Sequence, residues 1–296
     1  MPIDAWEFKA LEGSEKIKNL KMKGVKLYEC EDENAGAAPE KSGSLTYNCE
    51  YDTNGNMICE SEYGMDGKLD WVCTYGYDAK NRIIEEVVYT AEKKIDEKYV
   101  FSYGEDGNKN EVLQYDAENE LTGKTVFKYE NGNLIEELDY NPENEKLEGK
   151  VVYSYDANGR KKTLTEYDSD DKIDNQVSFK YDASGLLIEE LYAIADDAGG
   201  LDQDSCIFYS YANGNLVERV TKVDDIVFEK INYSYDKNNN IVEEIYFSRE
   251  EEDDEGYKAK FVYKYDQNNN MIAEAEYDAE SNELVSYVQY VFEYYN

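Results

Sequence analysis

Carboxylates and phenols dominate the reactive side chains of this 296-residue chain. It holds 67 Asp and Glu, 30 Tyr, 31 Lys and Arg and no His. Without histidine the usual general base, proton shuttle and metal ligand are missing. Acid–base chemistry would have to come from a carboxylate pair of the glycosidase kind. No Asp or Glu pair stands apart from the periodic pattern, so no catalytic residue is assigned and the chain reads as a non-enzyme. No GxSxG, P-loop or dinucleotide fingerprint occurs either. Metal chemistry has one weak candidate: Asp168, Asp170 and Asp171 crowd one loop and could hold Ca²⁺ loosely at the surface. A solvated acidic rim is the plainer account of them, so no cofactor is expected beyond a weak surface ion. The five cysteines (Cys30, Cys49, Cys59, Cys73, Cys206) show no CxxC spacing and read as free, partly buried thiols. Cys49 and Cys59 flank a turn and would bridge only if the register let them face each other. Tyrosine rows are the remaining candidate, suited to stacking on a sugar or a flat protein surface.

Those side chains are placed by a repeat. An aromatic-x-Tyr-Asp-x-Asn-Gly motif recurs with anchors at Tyr51, Tyr77, Tyr103, Tyr129, Tyr155, Tyr181, Tyr211, Tyr235, Tyr265 and Tyr294. The first five steps are 26 residues, and the others 30, 24, 30 and 29. A fixed step of this length means one supersecondary unit stacked many times. In residues 149–175, strand A (Gly149–Tyr155) alternates Val151, Tyr153 and Tyr155 against Val152 and Ser154. The turn Asp156-Ala-Asn-Gly159 follows, then strand B to Tyr167. Asp bonds its own backbone two residues on, and Asn-Gly accepts the left-handed conformation of a hairpin. At Glu130-Asn-Gly132 and Ala212-Asn-Gly214 the loop is one residue shorter. Strand B reads Leu134-Ile-Glu-Glu-Leu138 or Ile241-Val-Glu-Glu-Ile245, so apolar groups point to both sides. Either the sheet curls, or a bulge sits at the Glu pair. Leu69, Ile95, Leu121, Leu147 and Ile173 beat every 26 residues and are expected to tuck under the edge at each crossover. Insertions collect at Asp196–Asp204 and Arg249–Glu255, which marks one rim. Tyrosines also precede the anchor by two (Tyr75, Tyr153, Tyr209, Tyr233, Tyr263) and end strand B (Tyr63, Tyr89, Tyr115, Tyr140, Tyr167, Tyr192, Tyr277). Three aromatic ladders across neighbouring strands are expected.

The fold class that follows is all-β: about ten tandem hairpins in one long, twisted or curved antiparallel sheet over residues 46–296. Residues 1–45 are expected to form a cap. It would hold a helix over Ala5–Leu11 capped by Asp4 and carrying Trp6 and Phe8, and a second over Glu15–Lys23 capped by Ser14. A degenerate strand B at Val25–Cys30 and an acidic loop over 31–41 complete it. Lys16, Lys18, Lys21, Lys23 and Lys26 make the one basic cluster, which would suit an acidic partner. Tyr287–Asn296 reads as a strand A with no turn after it, an open edge prone to edge-to-edge association.

A net charge of −36 repels nucleic acid and attracts basic proteins or cations. No apolar run suits a membrane span, and residues 1–20 lack the core of a signal peptide.

Tyr153-Ser-Tyr-Asp-Ala-Asn-Gly-Arg160 and Tyr75-Gly-Tyr-Asp-Ala-Lys-Asn-Arg82 resemble the YD repeats of RHS proteins, over about residues 45–296. The resemblance implies an antiparallel sheet that spirals into a shell, in exported or surface-attached bacterial proteins, some of which enclose a toxin segment. Tyr129-Glu-Asn-Gly and Leu147-Glu-Gly-Lys also look like tyrosine-rich MORN-type repeats. The expected role is a non-enzymatic interaction, adhesion or structural scaffold with a protein or glycan partner. A carbohydrate- or cell-wall-binding module and a fragment of a toxin-enclosing shell are the alternatives.

Overall fold

The computed structural model describes residues 14–30, 43–196, 200–251 and 254–296. A short helix, α1 (Ser14–Leu20), leads into strand β1 (Met22–Cys30). Nineteen further strands run from β2 (Gly43–Tyr51) and β3 (Met57–Tyr63) to β19 (Met271–Asp278) and β20 (Leu284–Tyr294). All adjacent pairs are antiparallel. The expected Ala5–Leu11 helix and the acidic loop over 31–41 lie outside the described residues.

The sheet closes. β20 is not an open edge, because β1 pairs with it on one side and with β2 on the other. β1 is the strand B that the tenth hairpin lacks, so the two ends of the chain share one unit. The expectation of an open curved sheet is therefore corrected to a barrel of twenty strands. Hydrogen bonding drives the correction: unpaired strand edges leave backbone N–H and C=O groups unsatisfied, and mutual pairing of the end strands removes both edges.

A constant register produces the closure. Glu85 faces Gly76, the residue before one anchor, in β4 (Leu69–Tyr77), and Val100, three before the next, in β6 (Ile95–Tyr103). Glu111, Glu136, Glu189 and Glu243 repeat this two-residue advance. At the seam Lys26 faces Val291 and Asn48 in the same way. Ten such steps give a shear about equal to the strand number, hence a tilt of roughly 35° and, for a circular section, a radius of roughly 19 Å.

Both rims use one turn. Asp156 Oδ1 accepts the N–H groups of Asn158 and Arg160 at 2.8 and 3.0 Å, and Gly159 sits at φ 77°. On the other rim Asp168 does the same for Asp170 and Lys172 at 2.8 and 2.9 Å, with Asp171 at φ 62°. The shorter loops are two-residue turns with both residues left-handed, Asn131 and Gly132 at 51° and 84°, the signature of a type I′ hairpin. They are tighter than the one-residue shortening read from the sequence.

Bulges fall at the tyrosines and not at the Glu pair. Register shifts lie between Ser154 and Tyr155 and between Glu166 and Tyr167, while Glu136 and Glu137 run regularly opposite Lys128 and Phe127. Curl, not a central bulge, therefore accommodates apolar groups on both sides. The 26-residue beat of Leu69 to Ile173 also has a different cause. These residues open each strand A opposite the tyrosine that ends strand B, as Ile95 does for Tyr89, and Ile95 is 41% exposed.

α1 ends earlier than Lys23. Lys21 turns left-handed at φ 53°, and Met22 is recruited into the sheet against Tyr294. Strands contact only their sheet neighbours to any extent, so most side chains are half-buried. The main core lies at the seam. There Ile17 of α1 packs with Met22, Val25, Leu27, Cys49 and Tyr290.

Candidate functional site

The anchor tyrosines stitch one hairpin to the one before. Tyr77, Tyr103, Tyr155, Tyr235 and Tyr265 donate to the carbonyls of Met57, Ile83, Leu134, Leu216 and Ile241 at 2.6–2.8 Å. Each acceptor lies at or next to the start of the preceding strand B. At the tenth unit the register places Phe292, not Tyr294, in this row. Tyr290 then takes the position two before the anchor, and its hydroxyl meets Glu274 at 3.3 Å. Tyr294 lies two residues further on and is 44% exposed. The arginine after the turn locks the next anchor: Arg82 and Arg160 hold Asp78 and Asp156 and lie 4.3 and 4.5 Å over the Tyr103 and Tyr181 rings.

The anchor face also carries a band of carboxylates. Glu86, Glu137, Glu190, Glu244 and Glu274 come from strand B and lie opposite the aromatic residues two before the anchors, and Glu60 lies opposite Cys49 in the same position. Tyr153 donates to Glu137 at 2.6 Å, and Tyr209 and Tyr192 to Glu190 at 2.9 and 2.8 Å. Glu60 is the extreme case. It is 3% exposed and accepts from both Tyr47 and Tyr75. The adjacent Glu-Glu letters show Glu86, Glu137, Glu190 and Glu244 but not Glu60 or Glu274, and what the sequence hid is that a carboxylate such as Glu60 faces tyrosines of two different hairpins.

This arrangement corrects the expected ladders. Successive strands A are separated by a strand B, so their rings stand two strands apart and do not stack. Ring pairs in contact include Tyr246–Tyr257 and Tyr246–Phe261, at 6.3 and 6.4 Å. Most tyrosines ending strand B lie on the other face beside lysine, as Tyr167 and Tyr277 do under Lys150 and Lys260, both at 4.6 Å.

Burial and facing carboxylates hold these phenols neutral. Tyr77, Tyr99, Tyr209 and Tyr265 are pushed up to about 12, burial first, with Asp52, Glu97, Glu190 and Asp236 adding to it in turn. They donate hydrogen bonds and do not act as phenolate nucleophiles near neutrality. The folded state thus binds the phenolic proton more tightly than the unfolded chain, whose tyrosines titrate near ~10. This stabilisation is complete below that value and is lost as pH rises through about 12. We expect the thermal midpoint to fall steeply from about pH 10 to 12, with tyrosinate absorbance rising in the same cooperative step. Smooth tyrosine titration of a chain still folded above that range would contradict this.

The other sequence candidates have structural tasks. Asp168 is spent on its own turn, Asp171 pairs with Lys150, and Asp170 stands 3.8 Å from Lys172. No group of three or more metal-type ligands converges among the described residues. Cys49 and Cys59 are neighbours of Glu60 and Glu50 in the register and point to opposite faces, so they cannot bridge. All five cysteines are free, and burial pushes the Cys49 thiol up to about 12.

One groove stands out. Where α1 overlies the rim, a cavity of about 470 Å³ is floored by Tyr235, Ile241, Tyr265, Met271 and Phe292 and closed by Lys16. Lys16 Nζ donates to the Asn269 carbonyl at 3.2 Å. Asn239, Asn240 and Asn268 complete the polar side. Sequence reasoning marked Lys16, Tyr235 and Tyr265 separately and had no signal that they meet.

No protein-family model matches the chain, and no curated protein matches it in sequence. Solved structures show a distant similarity, at TM-scores below 0.5. One is the crystal structure of TcdB2-TccC3, at 11% identity and a TM-score of 0.33, over 90% of this chain and 18% of that one. The chain thus spans less than a fifth of that protein's length. Another is a porin-like protein from Bacteroides uniformis, at 12% identity and a TM-score of 0.39, over 93% of this chain and 97% of that one. A porin-like protein from Bacteroides vulgatus matches at 14% identity with a TM-score of 0.27.

Proposed function

We propose that the chain is a non-enzymatic scaffold of the YD-repeat kind, a water-bathed ring that binds partners through its walls and rims. The ring closure carries this reading. A sheet sealed by its own end strands offers no backbone edge, so recognition must run through side chains. Self-association by edge pairing would first require the seam to open, and so would growth into a longer spiral.

Charge supports water on both faces. The anchor face holds the Glu–Tyr band. The opposite face holds cross-strand ion pairs such as Lys98–Glu85, Lys124–Glu111 and Lys180–Glu189 at 2.8–3.1 Å. A barrel wall in lipid needs one continuous apolar face, and charge there costs about 2–4 kcal/mol at mid-depth. Neither face meets that requirement. The net charge of −36 favours basic protein partners and fast, salt-sensitive encounter. Exposure at a bacterial surface fits the resemblance to exported repeat proteins.

The test is a surface-plasmon panel of basic and neutral proteins run as a salt series, beside a panel of glycoside and peptide substrates. Saturable, salt-weakened binding without turnover is expected. Turnover abolished by a single Asp or Glu substitution would overturn the scaffold reading.

A further inference from the structure

We propose that one raised strand edge on the insertion rim takes up a basic, extended segment of a partner protein as an added strand. The charge of that partner rests on the scaffold reading; the place and manner of its binding are new.

Irregular spacing makes the site. The anchor steps from Tyr181 through Tyr211 and Tyr235 to Tyr265 are 30, 24 and 30 residues. Two long loops therefore flank one short one on the same rim. The long loops join β13 (Leu187–Ala195) to β14 (Leu201–Ala212) and β17 (Ile241–Ser248) to β18 (Tyr257–Tyr265). Between them β15 (Asn215–Val223) and β16 (Ile226–Tyr235) meet at the two-residue turn Asp224-Asp225. The rim is notched there. β14 and β17 stand three strand spacings apart, roughly 14 Å, with the turn as the floor between them.

The backbone of β14 supplies the first argument. Its pairing with β13 begins at Leu201, opposite Ala195, whereas its pairing with β15 begins at Cys206, opposite Lys222. Residues 201–205 thus have a strand on one side and, among the described residues, none on the notch side. Ring closure seals the wall only as high as neighbouring strands are paired, and β14 rises past that height. The N–H and C=O groups of such an edge are a template for another strand, and main-chain hydrogen bonds then supply the affinity.

Side chains fix what the added strand must carry. Asp202 lies opposite Ile194 on one face, and Leu201 and Gln203 alternate onto the other. Ile194 is 52% exposed and Leu201 37%. Asp204, Asp224 and Asp225 bring further carboxylates to the notch. Among the described residues none of these four aspartates has its side chain held in a hydrogen bond or ion pair. Asp225 keeps the left-handed place, at φ 65°, that glycine fills in the turns Asn131-Gly132 and Asn213-Gly214. The flanking cations are turned to other groups. Lys222 and Arg249 lie 5.5 and 4.9 Å from the Phe208 and Phe247 ring centres, and Lys258 pairs with Glu280 at 2.8 Å. A strand that alternates cations with aliphatic residues would meet Asp202 on one face and Leu201 on the other.

A second copy of this chain is the competing occupant. Two copies paired through residues 201–205 would bring aspartates of both chains together, and like charges across strands are destabilising.

The experiment is calorimetric titration of the full chain with three capped octapeptides: one alternating lysine and valine, one alternating glutamate and valine, and a fully N-methylated lysine–valine peptide that keeps the charge without backbone donors. Amide hydrogen exchange locates the binding. Saturable binding of the first peptide is expected, with exchange at residues 201–205 slowed in the complex. The other two peptides, and the exposed double variant Asp202→Asn/Asp204→Asn, should each bind about tenfold more weakly or worse. The thermal midpoint of the double variant should match the parent. No binding of the first peptide, unchanged exchange at residues 201–205, equal affinity for either control peptide, or equal affinity in the double variant would each overturn the assignment. Salt-weakened binding of basic proteins elsewhere on the ring would then still leave the scaffold reading standing. Exchange at these residues that slows as the free chain is concentrated would give the edge to a second copy and overturn the assignment too.

Discussion

Replacing Gly24 by valine is expected to open the ring. Gly24 lies in β1, the strand that joins the two ends of the sheet, opposite Glu50 on one side and Glu293 on the other. A Cβ there would stand 2.6 Å from the Cys49 carbonyl oxygen and 3.7 Å from the Glu50 Cα. Both are backbone atoms of a paired strand, so neither can swing aside. Overpacking of this kind costs about 1–3 kcal/mol, and two extra methyl groups add to the crowding. The effect reaches further than the residue because the main core sits on this seam: Met22, Val25 and Leu27 of β1 pack with Ile17 and Tyr290. Freeing β1 exposes an edge on β2 and another on β20, and such edges pair with other copies. A lower urea midpoint and concentration-dependent oligomers on size exclusion are expected. Gly159→Asn is the control. It meets nothing within 4 Å, and asparagine already fills the equivalent left-handed position at Asn81 and Asn239. A Gly24→Val chain that stays monomeric with an unchanged midpoint would show that the seam does not hold the ring.

The second large effect is expected at Glu60. Its carboxyl accepts from the hydroxyls of Tyr47 and Tyr75, all three residues being less than a tenth exposed. Glu60→Leu removes the acceptor that both hydroxyls share. Losing a buried acceptor costs about 1–3 kcal/mol per donor, so the pair should cost about 2–6 kcal/mol. Combining Glu60→Leu with Tyr47→Phe and Tyr75→Phe should recover much of the loss, since removing both partners of a hydrogen bond is far cheaper than removing one. At the exposed Lys180–Glu189 pair, 2.9 Å apart, Glu189→Leu should change stability by at most ~1 kcal/mol. Chemical denaturation of the three variants beside the parent and the Tyr47→Phe/Tyr75→Phe double variant checks this. Additive losses in the triple variant would mean that the three side chains contribute separately.

The local half of this architecture was legible because its causes are local. Asp156 folds back on Asn158 and Arg160, Gly159 supplies the left-handed residue, and Val151, Tyr153 and Tyr155 alternate on one face. Each depends on neighbours within a few positions, and the repeat states it many times over. The anchor row was legible through Tyr265 for the same reason. It failed at the last unit because β20 runs two residues past Phe292, and counting from one tyrosine to the next cannot see where a strand is paired.

What the chain's own order of residues determined was the hairpin: its turn, its alternation and its tyrosines. What the folded ring decided was closure, the Glu60 cluster and the groove under Lys16. Closure depends on a two-residue register advance summed over all ten units, with Lys26 arriving between Val291 and Asn48. The cluster and the groove join residues that no single hairpin contains, Tyr47 with Tyr75 and Lys16 with Tyr265. Short-range preferences set each step of the sheet. Only the sum of the steps, an effect of tilt and strand number, brings the first strand beside the last.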